Sequence, residues 1–252
     1  MVPRPPVYMI VMNDLNEKDV SMATLLTDFP LAPTTCNDQP VASAGRIGID
    51  LPRARRAVRE LLLAIGENPN RAGLAETPDR VARAFADLCS GLHQDPAIAL
   101  ARRFTAGHGE LVLVTDIDFT SLCEHHLLPF TGVAHVAYLP TADQVVGLSK
   151  LARAVEILAR RPQIQEALTA QIADVISKEL DAAGVLVVVE AAHQCLRHRG
   201  VRKAGSSTIT TAHRGRLRDE LALRQETHLL IASRRSDANP LSAGFSGSPS
   251  SD

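Results

Sequence analysis

The sequence at residues 132–139 reads Gly-Val-Ala-His-Val-Ala-Tyr-Leu, and the fold is deduced outward from this stretch. It is rich in β-branched and apolar residues and is followed by Pro140, a pattern typical of a buried β-strand. A similar stretch precedes it at residues 110–119. Two more follow much later, a continuous apolar run at Val185–Glu190 and a β-branched run at Ser206–Thr211. The sequence therefore predicts two pairs of strands.

Two helices are predicted between these pairs. Ser149 is the expected N-cap of the first helix, whose apolar stripe is broken at Pro162 and comprises Leu151, Ala154, Val155 and Leu158. The second helix is expected to end at Gly184 and has an apolar stripe of Ile164, Leu168, Ile172, Val175, Ile176 and Leu180. The order of two strands, two helices and two strands predicts an α+β fold with an antiparallel sheet.

Two further helices are predicted before the first strand. Asp50 is the expected cap of one, and its buried face is predicted to comprise Val58, Leu61, Leu62 and Ile65. Thr77 is the expected cap of the other, with Pro78 at its first helical position, and this helix should end at Gly91. Its predicted buried residues are Val81, Ala84, Phe85 and Leu88.

The composition and net charge of the chain limit the classes of partner that it is expected to bind. The chain has 252 residues, a formal charge of −1 and no Trp, so neither nucleic acid nor an anionic membrane is a predicted partner. No apolar run reaches the 18 to 20 residues or so that a membrane span needs, and the expected location is the cytoplasm. Proline-rich residues 1–45 are predicted to be a flexible extension, 46–232 the working domain and 233–252 a disordered tail.

A metal site is the strongest chemical signal in the sequence. Cys123 and His126 have the spacing of two ligands in one turn, and Cys195 follows a predicted strand far along the chain. Together they would form a Cys2His zinc site whose fourth position is left for water, an arrangement typical of catalytic zinc. Spacing alone does not distinguish His125 from His126 as the third ligand. The alternative to a metal site is that the two cysteines are buried core residues.

Other residue clusters suit a nucleotide. His125 and His193 are candidates for proton transfer beside the metal. Glu166, after Gln165, has the carboxylate needed to accept hydrogen bonds from a guanine edge. Cations near helix starts or near Cys195 are candidate phosphate ligands, and they are Arg80, Lys150, Arg153, Arg197, Arg199, Arg202 and Lys203.

Several long motifs together resemble the zinc-dependent GTP cyclohydrolase I family. They are Glu76–Ala82, Ser121–Phe130, Ala134–Pro140, Val146–Arg153, His193–Cys195 and Arg199–Arg202. The resemblance covers about residues 50–230. It implies the tunnelling fold, a four-stranded antiparallel sheet with two helices inserted between its halves. It also implies that sheets of several subunits join into a pentameric barrel, that two barrels stack as a decamer, and that active sites lie at subunit interfaces.

The resemblance also implies a role for individual residues. Cys123, His126 and Cys195 match the zinc ligands, which favours His126 over His125. His125 and His193 match the acid-base histidines, and Gln165 with Glu166 matches the guanine-reading pair. Ser149 matches a ribose contact, and the matches to triphosphate ligands are Arg80, Lys150, Arg153 and Arg199. Arg197 and His198 depart from the family, which usually has smaller or apolar residues there, so their effect on substrate affinity is open.

The implied reaction is the conversion of GTP to 7,8-dihydroneopterin triphosphate and formate. Zinc-activated water attacks guanine C8, the imidazole ring opens, formate leaves, and the ribose rearranges and recloses. A zinc nucleoside deaminase is disfavoured because the P-C-x-x-C stretch of that class is absent. Another tunnelling-fold enzyme of pterin or deazapurine metabolism is a second alternative, which would be expected to lack Cys-Glu-His-His combined with a distant His-x-Cys. A third is a catalytically silent or divergent tunnelling-fold paralogue that binds a purine or pterin, and a silent one would be expected to have lost at least one of His125, His193 or Glu166.

Overall fold

The computed structural model describes residues 8–12, 48–107 and 109–237. The strands are β1 Tyr8–Met12, β2 Arg103–Thr105, β3 Val112–Cys123, β4 Pro129–Leu139, β5 Gln144–Val146, β6 Pro162–Gln163, β7 Gly184–His193 and β8 Ser207–Gly215. The α-helices are α1 Leu51–Ala64, α2 Thr77–Leu88, α3 Pro96–Leu100, α4 Leu148–Ala159, α5 Gln165–Leu180, α6 Gln194–Arg197, α7 Arg216–Asp219 and α8 Leu221–Asp237. None of the described helices is long and apolar enough to cross a lipid bilayer.

The main sheet has the order β1-β8-β7-β4-β3-β6. Its four central strands, β8, β7, β4 and β3, are antiparallel to their neighbours, whereas the outer strands β1 and β6 add in parallel. The helices α4 and α5 lie between the two strand pairs in the chain. This arrangement confirms the predicted α+β fold with an antiparallel sheet and two inserted helices.

Apolar side chains cover both faces of the sheet. On β7, Val185, Val187 and Val189 face the larger core, which α4 and α5 complete, while Leu186 and Val188 face a smaller core. The smaller core also contains Leu217 and Ile231 from the C-terminal helices. Burial on both faces explains why β7 is a continuous apolar run instead of an alternating one.

The two inserted helices match the predicted pattern in their interiors but not at their ends. All four predicted α4 stripe residues are buried. The N-cap of α4 is Gly147, so the prediction of Ser149 as the cap was wrong: Ser149 is already inside the helix. The second helix, α5, ends at Leu180 because Asp181 takes a left-handed conformation, and the predicted terminator Gly184 instead begins β7.

The two N-terminal helices pack against each other, and an ion pair joins Arg55 to Asp79. Asp50 caps α1 as predicted, through its side chain and the Arg53 amide at 3.0 Å. The predicted buried face of α1 was wrong for this chain, because Leu61 and Ile65 are 61% and 69% exposed.

The predicted details of α2 also need correction. Its N-cap is Glu76, which makes no side-chain cap, and Ala84 is exposed. The helix ends at Leu88, not at the predicted terminator Gly91. Gly91 lies in the short 3₁₀ helix Ser90–His93, where a Cβ atom would come within 2.0 Å of the Ile157 carbonyl oxygen. Close approach of two backbones, not helix termination, therefore requires this glycine.

The described structure overlaps both predicted tails. Strand β1, in the expected flexible extension, pairs with Ser207–Thr211 of β8. Helix α8 continues to Asp237, beyond the expected start of the disordered tail at residue 233. The rest of both segments lies outside the described residues, so the boundaries 1–45, 46–232 and 233–252 stay predictions.

Candidate metal centre and substrate site

The candidate metal ligands meet where strands β3 and β7 end. Strand β4 lies between β3 and β7 and is antiparallel to both, so β3 and β7 run in the same direction and end together. Cys123 ends β3, His126 follows in the next turn, and Cys195 lies in α6 directly after β7. Their ligand atoms all lie within 4.8 Å of one another. Chain topology therefore explains how ligands distant in sequence converge.

A tight turn aims the first two ligands. The amides of His126 and Leu127 donate to the Cys123 carbonyl oxygen at 3.2 and 2.7 Å, and the Cys123 amide donates to Leu128 at 2.8 Å. Leu127 has a φ of 52° to close the turn. The turn places Nδ1 of His126 3.9 Å from Sγ of Cys123. Nδ1 of His125 lies at the same distance from that sulfur, but among the described residues it is His126 whose ring nitrogen lies within 4.8 Å of both cysteine sulfurs, so the geometry favours His126 as the ligand.

The donor set fits a borderline-soft cation. Burial raises the pKa of the Cys195 thiol, and the negative charge of Cys123 raises it further, because two neighbouring thiolates repel each other. A cation between them would remove that penalty. Two sulfur ligands and one imidazole nitrogen with a fourth position open match the preference of catalytic zinc.

His193 is held on two sides at the end of β7. Its ring lies parallel to the ring of Phe130, with centroids 4.6 Å apart. Its Nε2 lies 2.8 Å from Oε1 of Gln165. Burial lowers the pKa of His193, and the charge of Glu166 opposes this effect. The neutral ring that results is suited to accept a proton.

A cavity of about 170 Å³ brings most of the predicted chemistry together. Its lining includes the two cysteines of the metal group, together with His125, Gln165, Glu166 and His193. Arg199 is also close, since its guanidinium donates to Nε2 of His126. The cavity therefore combines candidate metal ligands, proton-transfer groups and a carboxylate within one chain.

The side chain of Gln165 is engaged within the protein. The sequence predicts a substrate contact, but the residue is only 1% exposed and its amide is bonded within the protein. Glu166, the next residue, is half-buried and lines the cavity. Of the predicted guanine-reading pair, Glu166 has the more exposed side chain, whereas the amide of Gln165 is already hydrogen-bonded within the protein.

The remaining predicted substrate ligands lie elsewhere on the chain. Ser149 and Arg153 line a separate cavity of about 910 Å³, beside Asp116 and Glu156. Arg80 of α2 forms an ion pair at 2.6 Å with Glu76, the N-cap residue of that helix. Lys150 is in the first turn of α4. A single chain thus does not bring these four residues to the cavity that contains the candidate metal group.

Sequence reasoning missed Phe130 as a site residue. It is fully buried and is the direct cross-strand partner of His193 in the β4–β7 ladder. No local signal marks this pair, because the register that joins them is set by a strand more than fifty residues away. The only sequence signal at Phe130 is its place at the end of the Ser121–Phe130 motif.

Comparison with known proteins gives a consistent result. The family model described as GTP cyclohydrolase I matches residues 54–232. GTP cyclohydrolase 1 of Thermobifida fusca is 57% identical over 189 residues, which cover 75% of this chain and 91% of the relative. GTP cyclohydrolase 1 of Streptomyces coelicolor is 55% identical over 192 residues, covering 75% of this chain and 95% of the relative. GTP cyclohydrolase 1 of Geobacillus sp. is 57% identical over 175 residues, covering 69% and 93%.

Proposed function

This chain belongs to the GTP cyclohydrolase I family and is an enzyme of that activity, and we propose that it acts through a zinc ion held by Cys123, His126 and Cys195. The products of the reaction are 7,8-dihydroneopterin triphosphate and formate, which makes this the first step of tetrahydrofolate and pterin biosynthesis. The observation that carries the zinc proposal is the convergence of two thiols and one imidazole to within 4.8 Å of one another, with both thiols in the cavity wall.

The chemistry is divided among the residues of the cavity. When bound, zinc makes water a nucleophile near neutral pH. His193, neutral and half-buried, accepts and returns protons as C8 of guanine is hydrolysed, and His125 is the second proton carrier. Glu166 holds the guanine edge through its carboxylate, which accepts N–H donors. The C8 carbon leaves as formate.

The triphosphate is proposed to be held by Arg80, Lys150, Arg153 and Arg199, with Ser149 against the ribose. Arg199 already lies beside the metal group, while Ser149 and Arg153 line a separate cavity. Residues of one chain therefore supply only part of the pocket. We propose that a second copy supplies the rest in a homo-oligomer of two stacked pentamers, with active sites at the interfaces.

A cytoplasmic location is part of the proposal. Cysteine ligands bind metal as thiolates and must stay reduced, a condition that the cytosol maintains. The substrate GTP is available in the same compartment. The alternative of a silent paralogue is disfavoured because the metal group, His125, His193 and Glu166 are all present and line or adjoin one cavity.

The test is to incubate the purified protein with GTP, before and after chelation and zinc reloading. Formate and the pterin product are quantified together. Equal amounts of both, lost on chelation and restored by zinc, are the expected result. Formate without pterin would contradict the full reaction, and the absence of both from assembled, zinc-loaded protein would favour the silent paralogue.

A further inference from the structure

Gln165 has a buried side chain whose orientation is fixed by the main chain of two strands. Its Nε2 donates to the carbonyl oxygens of Val189 in β7 and Thr208 in β8, both at 3.0 Å. A carbonyl oxygen only accepts hydrogen bonds, so the NH2 end of the amide must face these two groups. The amide oxygen Oε1 is then left facing His193.

This orientation determines which nitrogen of His193 carries the proton. Oε1 of Gln165 lies 2.8 Å from Nε2 of His193, and an amide oxygen only accepts. Nε2 must therefore be the N–H donor. A neutral imidazole has a single N–H, so Nδ1 has the free lone pair.

Phe130 restrains the same ring in a second way. The two ring planes are 4° from parallel, so the phenyl face sets the plane of the imidazole. The hydrogen bond to Gln165 sets the rotation of the ring within that plane. Together the two contacts fix both the position and the tautomer of the base.

We propose that Gln165 is a positioning residue for the reaction, which holds His193 in the Nε2–H tautomer so that Nδ1 is the atom that exchanges protons with the substrate. The inference rests on the proposed role of His193 as a proton carrier. It differs from the guanine contact expected for the Gln165 side chain, which is 1% exposed and whose amide nitrogen and oxygen are both engaged within the protein.

Thr169 offers a matched control, because it makes the purely structural contacts of the same region. It lies one turn later on α5, is also 1% exposed, and its hydroxyl donates to the Gln165 carbonyl oxygen at 2.7 Å. Its Oγ1 is also 2.6 Å from Oγ1 of Thr210 in β8. The same Thr210 hydroxyl lies 3.2 Å from Nε2 of Gln165. Thr169→Val therefore loosens the surroundings of Gln165 but keeps the hydrogen bonds of its amide to Val189, Thr208 and His193.

The experiment compares Gln165→Met with Thr169→Val at saturating and limiting GTP. We expect Gln165→Met to lower kcat at least tenfold, with KM for GTP and bound zinc within twofold of the wild type, and Thr169→Val to keep kcat within twofold. A raised KM at unchanged kcat would overturn the proposal in favour of a substrate contact. An equal loss of kcat in Thr169→Val would reduce Gln165 to a packing role.

A double-mutant cycle tests whether Gln165 acts through His193. In the His193→Ala background, Gln165→Met should change kcat by less than twofold, because the group that it positions is gone. A further tenfold loss there would overturn the proposal. If Gln165→Met does not assemble, Gln165→Leu removes the same amide and should also lower kcat at least tenfold; a kcat within twofold of the wild type in folded, zinc-loaded Gln165→Leu would overturn the proposal.

The tautomer has a spectroscopic readout that packing alone would not change. In protein labelled with ¹⁵N-histidine, the resonances absent from His193→Ala identify this ring. We expect the wild type to show Nε2 protonated and Nδ1 bare, and Gln165→Met to show a mixture; the opposite tautomer in the wild type would overturn the proposal. Failure of the proposed function is distinguishable, because then the wild type itself would release neither formate nor pterin.

Discussion

The ring of His193 lies flat against the ring of Phe130, with centroids 4.6 Å apart, and the two residues are direct cross-strand partners in β7 and β4. The phenyl ring is fully buried and also meets Phe119 edge to face at 5.8 Å. A rigid aromatic pair in the core thus supports one face of a group at the cavity wall.

Phe130→Leu should lower kcat about two- to tenfold and leave the zinc content unchanged. An aromatic stack contributes about 0.5 to 1.5 kcal/mol beyond area burial, and its loss lets the imidazole tilt. The measurement is the initial rate of formate release at saturating GTP. Phe119→Leu is the control, since Phe119 touches Phe130 but is not stacked on His193, and an equal loss in that variant would show a general packing effect.

Cys123→Ser and Cys195→Ser should each lose zinc and turnover together. Each change removes a thiolate from a three-ligand group, and serine is a poor ligand for zinc. Metal analysis and formate release are measured on the same samples. Cys89→Ser is the control, because Cys89 is buried at the end of α2 and outside the metal group. Full turnover in a metal-free variant would contradict the proposed mechanism.

Glu166→Ala should reduce kcat/KM for GTP by about ten- to a hundredfold, since a bidentate contact to a base edge contributes about 1 to 3 kcal/mol. Inosine triphosphate lacks the exocyclic amine of guanine, so the wild type should favour GTP and the variant should favour it much less. The rates on the two nucleotides are compared directly. Asp174→Asn, with an exposed carboxylate on the same helix, should keep the preference for GTP. Unchanged discrimination in Glu166→Ala would remove the guanine role.

His228→Gln should flatten the dependence of the unfolding temperature on pH. His228 in α8 lies with its Nε2 3.4 Å from Nε2 of His213 in β8. Burial lowers the pKa of His228 below its ordinary value of 6.5, and the charge of Arg224 lowers it further. The folded state then binds fewer protons than the unfolded state, so the stabilisation is complete above pH 6.5 and is lost as the pH falls towards the folded-state pKa.

Thermal unfolding at pH 7.5 and 5.5 measures this effect. The wild type should lose more stability on acidification than His228→Gln. His93→Gln serves as the control because His93 is exposed, and it should behave as the wild type does. The same loss in His228→Gln as in the wild type would show that other groups carry the acid sensitivity.

Much of the fold follows from periodicity in the sequence. The stripe of α4 and the four central strands were predicted because their side chains repeat with the period of the element that buries them. The bulge in β3 was not predicted. It lies between Val114 and Ile117 and includes Asp116 at a φ of 56°, where the register of the pairing between β3 and β4 shifts.

The apolar face of α1 shows where a single chain limits such reasoning. Leu61 and Ile65 repeat at helical spacing, yet both are exposed, because the described chain has no surface packed over them. The pattern correctly indicated a helix, but burial depends on what lies opposite the helix. Periodicity alone does not provide that information.

In the candidate site, the sequence predicts which residue types take part more reliably than it predicts what each side chain contacts. The sequence identified the three metal-group residues because thiol and imidazole types are few and their spacing is distinctive. The side-chain chemistry of Gln165 predicts a substrate contact but not the hydrogen bonds that its amide makes inside this chain. The orientation of that amide depends on two main-chain carbonyl groups, of Val189 and Thr208, and main-chain groups leave no trace in the sequence.

The order of the metal ligands along the chain determines when a newly translated protein can bind its metal. Cys123 and His126 emerge from the ribosome well before Cys195, and β4, α4, α5 and β7 are all made in between. The third ligand reaches the other two only when β7 has paired with β4, a non-local step that is slow in folding. A nascent chain therefore cannot acquire the complete site until most of the domain has been synthesised, and metal loading should trail synthesis of the chain.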